Sequence, residues 1–359
     1  MKKAIPDLTR FFHPVLPARL LGKTPVRVEL GERRYVLFRD GNGRAAALND
    51  ACPHRKAALS QGFVRSDGTL ACPYHGWNFD ALGHGRSPAQ PTLAHCDTVA
   101  YQVVENYGYL WLAAIETPID ALPQLGWDGF EFAGSFSTLF KAPLHVVLDN
   151  FSEDEHFSSV HSSLGWDESG LAQVDFKAEV KSDHTCVHYQ GPQRPSPWLL
   201  FFGVKAGDYF NNDWVTRFDP VQAVFTMYWV DATNGLPRPF VIRSAAFIMP
   251  ETSKNTRIHT FVFFKIASGS LLRRFIPIIR PVILLLGRYE VAADARFIVN
   301  VADTPSDLKQ MRLGKFDLPI IHNRRLLQSI YFGKQVETTS LLSNGVPVGS
   351  QVLPSNDLE

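Results

Sequence analysis

Two short segments near the start of this 359-residue chain each offer one thiol and one imidazole. Cys52-Pro53-His54 is a C-x-H pair and Cys72-Pro73-Tyr74-His75 a C-x-x-H pair, with 17 residues between His54 and Cys72. Thiolate sulfur and neutral imidazole nitrogen are the donors that bind zinc, copper and the iron of iron-sulfur clusters. Zinc fingers usually pair like ligands, Cys-x-x-Cys in one half and His-x-x-x-His in the other. The mixed pairs here suit a [2Fe-2S] cluster in which two thiolates hold one iron and two imidazoles the other, so that each loop gives one ligand to each metal. A zinc-stapled binding module is the alternative use of the same four side chains.

A second constellation lies in Asp149-Asn150-Phe151-Ser152-Glu153-Asp154-Glu155-His156-Phe157-Ser158-Ser159-Val160-His161. Five residues at about 100° each leave His156 and His161 on different faces of a regular helix. A metal shared between them therefore requires an irregular or ending helix, and without one the pair reads as two surface histidines. Glu153, three residues before His156, falls on the same helical side, whereas Asp154 points elsewhere. An electron-carrying cluster needs little chain beyond Ala114, so the larger remainder is expected to use the electron.

The first set of loops, with Tyr107-Gly108-Tyr109-Leu110-Trp111 downstream, resembles the Rieske family over most of the chain before Glu116. Neither loop has the extra cysteine that braces the cluster in respiratory Rieske proteins, and Tyr74 and Trp77 stand where those proteins usually have cysteine and serine. Fewer hydrogen bonds to the sulfurs imply the lower-potential oxygenase and ferredoxin type. Cys96 and Cys186 match no ligand position and are read as structural.

The second constellation resembles the Asn-x-x-Asp-x-x-His-x-x-x-x-His signature of Rieske non-haem iron oxygenases. Asn150, His156 and His161 fit it, and Glu153 stands where most members have aspartate. The resemblance implies that His156 and His161 bind a mononuclear Fe(II), completed by a late carboxylate. Asp294 is the candidate for that third ligand, with Glu290 and Asp303 as alternatives. It also implies that Asn150 and Glu153 are catalytic. Glu153 would bridge an iron-binding histidine to a Rieske histidine of a neighbouring subunit, in a homotrimer; an ordinary solvent-facing acid is its alternative.

The resemblance implies a terminal oxygenase that activates O2 as co-substrate and oxidises an apolar, aromatic or heteroaromatic small molecule. Overall length is closest to monooxygenases: O- or N-demethylases, aminopyrrolnitrin-type amine oxygenases and oxygenases that tailor natural products. Aromatic cis-dihydroxylation, or electron transfer without catalytic iron, are the competing readings. No Gly-x-Gly-x-x-Gly turn or flavin signature is present, so NAD(P)H would act only through a separate ferredoxin or flavin reductase. Arg55 and Lys56 are candidates for docking an acidic redox partner, or are plain solvated charges. Phe151, Phe157, Val160 and Leu164 flank the iron histidines and suggest an apolar pocket.

The elements that must position these residues can be read from periodicity. Val26–Leu30 and Arg34–Arg39 alternate around Gly31-Glu32, and further short strands run to Ala114, which is antiparallel β. Glu116–Pro123 reads as a linker. Beyond it, Leu148–His161 and Leu271–Val301 read as helical, and strands cover Val174–Val180, Phe225–Val230, Val241–Ile248 and Ile258–Ile266. The expected fold class is α+β, a Rieske [2Fe-2S] domain over 10–117 followed by a helix-grip (START/Bet v1-like) catalytic domain over 118–340. Residues 341–359 are expected to be a flexible tail.

Composition removes other classes. Lysine and arginine total 36 against 35 acidic residues, so no overall positive field recruits nucleic acid. Four cysteines and an N-terminal segment without a signal-peptide apolar core point to a reducing cytoplasm. The apolar stretch Phe275–Leu286 is broken by two prolines and an arginine, which argues for a buried or entrance-lining segment over stable membrane insertion.

Overall fold

A computed structural model describes residues 7–301 and 308–334. The N-terminal part is antiparallel β throughout. Strands β1 (His13–Pro17), β2 (Val26–Leu30), β3 (Arg33–Arg39) and β4 (Ala45–Asn49) share a six-stranded sheet with two later strands. Between them, β5 (Phe63–Val64), β6 (Leu70–Ala71), β7 (Asn78–Phe79) and β8 (Gly85–Arg86) form a small sheet of their own that carries both cysteine-histidine loops. Then β9 (Ala100–Asn106) and β10 (Tyr109–Ala114) return to the first sheet, in the order β1-β10-β9-β4-β3-β2. The turn expected at Gly31-Glu32 is there, both residues having positive φ (58° and 69°) as a two-residue hairpin loop demands. Glu32 is held in that conformation from outside: its N–H donates to Glu251 C=O (2.9 Å) and its carboxylate accepts from Ser253 N–H (2.5 Å).

The second part is built on a seven-stranded antiparallel sheet. It comprises β11 (Glu131–Phe140), β12 (Asp175–Val180), β13 (His184–Pro192), β14 (Tyr209–Phe218), β15 (Val221–Val230), β16 (Pro237–Pro250) and β17 (Thr256–Ile266). Their order, β11-β17-β16-β15-β14-β13-β12, is a meander with β11 folded back on its far edge. Among the described residues five α-helices accompany it: α1 (Leu144–Asn150), α2 (Phe157–Val160), α3 (Pro197–Leu200), α4 (Ile276–Ile298) and α5 (Leu318–Leu326). The long helix α4 lies against β11, giving the helix-grip arrangement of the expected fold class. Pro277 sits in its first turn, where the missing N–H costs nothing. Among the described residues no helix is long and apolar enough to cross a membrane.

One strand shows how the two parts are joined. Along β17, Phe261 and Phe263 pack with Phe12, just before β1, and with Tyr109 and Trp111 of β10, while Val262, Phe264 and Ile266 belong to the core under α4. The strand is covered on both faces, which is why it reads as an apolar run rather than an alternation. Each fully buried phenylalanine of this kind contributes about 1.5–3 kcal/mol.

Two expectations need correction. The single helical stretch expected over Leu148–His161 is two short helices, α1 and α2, separated by a turn. The helix expected from Leu271 begins as a 3-10 segment (Leu271–Phe275) before α4 proper. The tail at 341–359 and Asp303 lie outside the described residues.

Candidate functional site

The two cysteine-histidine loops are built alike. In each, the cysteine N–H donates to the carbonyl five residues on, Cys52 to Ala57 (2.8 Å) and Cys72 to Trp77 (2.7 Å). The cysteine carbonyl accepts from the amide four residues on, that of Lys56 (2.8 Å) or Gly76 (3.2 Å), and both of those residues have positive φ (60° and 69°). This folding turns Cys52 and Cys72 inward, where they are buried, and leaves His54 and His75 exposed. The two imidazoles lie 4.6 Å apart between centroids, and His54 stacks on Trp77 at 4.8 Å. Burial pushes the Cys52 thiol up to about 11, so it holds a thiolate at neutral pH only beside a cation. Two buried sulfurs and two surface imidazoles suit a cluster with one iron inside and one at the electron-exchanging surface.

Asp50 braces this unit from below. Its carboxylate is buried and accepts from Arg27 Nε (2.6 Å), Ser60 N–H (2.7 Å) and Ser60 Oγ (2.8 Å), tying β2 and β4 to the chain beyond the first loop. Cys96 is buried with its thiol on Leu93 C=O, and Cys186 sits within β13.

The second constellation depends on a broken helix. Ser152 Oγ donates back to Leu148 C=O (2.6 Å) and accepts from Asn323 Nδ2 of α5 (2.8 Å), a side-chain bond that competes with helix continuation. Arg324, also of α5, grips the Asp149 carboxylate through Nε (2.8 Å) and Nη2. After one turn of α2 the chain reaches His161 in an extended conformation (φ −91°, ψ 153°). Arg194 secures that end by donating to His161 C=O (2.5 Å) and Phe157 C=O (2.6 Å), carbonyls that a helix terminus leaves unpaired.

The break brings together what a regular helix would separate. His156 Nε2 and His161 Nε2 are 3.3 Å apart, and Asp294 Oδ1 of α4 lies 3.5 Å from the first and 3.3 Å from the second. The opposite ring nitrogens meet other carboxylates: His156 Nδ1 faces Glu153 Oε1 (2.6 Å) and His161 Nδ1 faces Glu290 Oε2 (2.6 Å). Such an acceptor keeps the proton of a neutral imidazole on Nδ1, leaving the Nε2 lone pairs to converge on Asp294. Asp294 Oδ1 is buried and has no hydrogen-bond partner among the described residues. Burial opposes charge on His156, yet Glu153 and Asp294 raise it to about 10, so the site draws positive charge to this ring. Two imidazoles and one carboxylate form the set that can hold ferrous iron with positions left open.

Glu290, an alternative ligand in the sequence reading, therefore stands behind His161 rather than at the point where His156, His161 and Asp294 converge. Glu153 is folded back on its own chain, its Oε2 accepting from the amides of Glu155 (2.5 Å) and His156 (3.2 Å). Asn150 lines the adjoining cavity, and among the described residues its amide makes no hydrogen bond to the histidines. Asp154 also faces that cavity, where Asn212 Nδ2 donates to it (2.7 Å) and burial lifts its carboxyl to about 7.

The cavity itself, about 140 Å³, opens beside the two histidines and Asp294. Phe136, Phe157, Leu164, Phe225, Met227 and Ile242 are among its apolar lining residues, and no lysine or arginine lines it. Phe151 lines it too, whereas Val160 does not.

Residues 12–105 match the family model described as the Rieske [2Fe-2S] domain. The chain is 34% identical to the vanillate O-demethylase oxygenase subunit of a Pseudomonas species, over 61% of this chain and 71% of that one. The chain belongs to the Rieske non-haem iron oxygenases. It is also 32% identical to the 4beta-methylsterol monooxygenase of Methylococcus capsulatus, over 39% of this chain and 41% of that protein's own length. The fold is that of dicamba monooxygenase bound to 3,6-dichlorosalicylic acid, with a TM-score of 0.76 over 90% of this chain and 97% of that one at 17% identity.

For a Rieske oxygenase the informative gaps in the sequence reading are Arg194, Asp50 and the true place of Glu290. Arg194 acts on carbonyls 33 and 37 residues upstream, and no motif marks such a contact. Glu290 carried a readable signal, since it is one turn before Asp294 and both are buried on the same face of α4.

Proposed function

We propose that this Rieske oxygenase is the terminal, monooxygenating component of a multicomponent system, with its cluster unit at 10–117 and its catalytic unit at 118–340. Cys52 and Cys72 would hold one iron of the cluster, His54 and His75 the other, and His156, His161 and Asp294 a mononuclear Fe(II). The observation that carries the reading is the convergence of those last three side chains at the wall of an apolar cavity, in a chain that also bears the Rieske loops. Iron bound there would supply activation of O2, given electrons from the cluster.

The protein's own residues do the rest. Glu153 and Glu290 keep the proton on the far nitrogen of each imidazole and fix the ring planes. The aromatic wall would exclude water and stack a flat apolar substrate, while Asn150, the Asp154–Asn212 pair and the hydroxyls of Ser196 and Thr260 are among the polar groups that would orient it. A wall without lysine or arginine favours a neutral molecule, for hydroxylation, demethylation or a related oxidation. Glu153 would act as the bridging carboxylate in a homotrimer, a reading supported by its Oε1 on His156 Nδ1 (2.6 Å), with a Rieske histidine of a neighbouring subunit as its other partner. A cytoplasmic ferredoxin or flavin reductase would deliver electrons from NAD(P)H.

Iron and acid-labile sulfide on anaerobically purified protein, with EPR after dithionite, test the metal reading. More iron than sulfide, with the low average g of a reduced Rieske centre, is the expected result. Equal iron and sulfide that Fe(II) addition does not change would leave an electron carrier. With an added reductase and 18O2, one labelled atom in the product supports monooxygenation, and two would move the assignment to cis-dihydroxylation.

A further inference from the structure

A surface helix normally shows a polar face to solvent and an apolar one to the core. Helix α4 departs from that rule. Its inner side carries Ile279 and Ile283, both buried, while its outer side presents Ile278, Leu285 (64% exposed) and Tyr289 to solvent. The exposed apolar surface continues through the preceding 3-10 turn, where Leu271 is 70% exposed, and across to α3, where the rings of Phe201 and Phe275 lie 6.1 Å apart and Leu200 is 60% exposed. An apolar surface of this extent marks an interaction site.

Its fringe is cationic. From Leu271 to Tyr289 the chain contains Arg273, Arg274, Arg280 and Arg288 and no acidic residue. Glu131 of β11 pairs with Arg280 (3.1 Å) and lies 3.9 Å from Arg273; among the described residues Arg274 and Arg288 form no ion pair. Arginine around an apolar, aromatic-edged helix is the pattern of a segment that lies in the headgroup layer of an anionic bilayer without crossing it.

The same elements wall the cavity. Trp198 of α3 is half exposed and also lines the cavity, while Leu286 and Gly287 of α4 line it from behind the exposed face. Trp198 therefore stands between the apolar surface and the interior. A lipid phase against this face would put an apolar reservoir beside Trp198, which also lines the cavity.

We propose that the α3–α4 face docks peripherally on an anionic lipid surface and takes its apolar substrate from that phase into the cavity. Delivery rests on the oxygenase reading above, but docking does not, so docking is measured without turnover. The holoprotein is sedimented with vesicles of phosphatidylcholine alone or mixed with phosphatidylglycerol. Binding is expected only to the mixed vesicles, weakening as salt is raised. Arg274→Gln should lower it about fivefold, and the Ile278→Ser/Leu285→Ser double variant on the order of tenfold or more. Both variants should keep the visible absorption of the cluster, since all three substituted positions lie at Leu271–Ile298, apart from the two cysteine-histidine loops.

Absence of wild-type binding to the mixed vesicles, or equal binding by the double variant, overturns the proposal. So does a double variant that sediments as a smaller oligomer while vesicle binding is absent throughout, which would make the face a contact between copies. Metal content of the same preparation reports on the oxygenase reading separately.

Discussion

His156 and His161 are held from behind by carboxylates of very different origin. Glu153 comes from the same turn of chain, whereas Glu290 comes from α4, 129 residues beyond His161. Both interactions set which nitrogen is free for metal and how the ring is aimed. Replacing such a carboxylate typically weakens metal affinity about 10–100-fold. Glu290→Gln is therefore expected to lose mononuclear iron on dialysis while its Rieske EPR signal is unchanged, and equal iron retention would show Glu290 to be only a packing group. Asp294→Ala should lose about one iron per chain and all oxygenation, again with the cluster intact. The ligand candidates His156, His161 and Asp294 could be named from the sequence because Asn150–His161 resembles the family signature and the family carries its carboxylate in a late helical segment; spacing alone argued for two surface histidines. The place of Glu290 was half legible: its spacing puts it on the Asp294 side of α4, but its contact with His161, between a loop and a distant helix, leaves no local pattern.

At the scale of elements, β12 was readable because its burial alternates with its own period, whereas β3 and β15, with runs of like burial, were readable from their apolar residues and flanking turns. The division of Leu148–His161 into α1 and α2 was not readable. It is imposed by Asn323 and Arg324 of α5 and by Arg194, all remote in sequence from the segment that they break. Arg194→Met removes the cation that holds the carbonyls of Phe157 and His161, and leaving such groups buried costs about 1–3 kcal/mol. Faster proteolysis near α2 and reduced mononuclear iron are expected, with the cluster loops unaffected. Helix α4 is seated by a glycine. A Cβ added at Gly134, whose φ is +145°, would lie 2.8 Å from Leu284 Cδ1. Gly134→Ala should lower stability by about 1–3 kcal/mol in thermal melts, because alanine is strained at that φ while the tip of Leu284 yields.

Two histidines lie in the seam between the N-terminal sheet and the second part of the chain. Burial pushes His13 down to about 3; burial, then neighbouring Arg257 and His13, push His259 to about 3 as well. Folded, both stay neutral as pH falls below 6.5, whereas the unfolded chain takes up protons there. Stability is therefore lost progressively from about pH 6.5 towards 3, and each histidine costs about 2 kcal/mol by pH 5. Asp149, which burial lifts to about 6 against the pull of Arg324, acts in the opposite sense over the same window. A His259→Phe variant separates the two contributions: its melting-temperature advantage over wild type should grow between pH 7 and pH 5. A constant difference would show that His259 titrates normally in the folded protein.

That seam also constrains how the enzyme can change. On β17, Thr260 and Val262 look into the cavity while Phe261 and Phe263, one residue away, hold the Rieske unit in place. A substitution that widens the pocket at either inner position displaces the backbone shared with the outer ones. Variants selected for a new substrate through this strand will therefore inherit a reseated cluster unit, and compensating changes are to be sought at Phe12, Tyr109 and Trp111, far from any substrate atom.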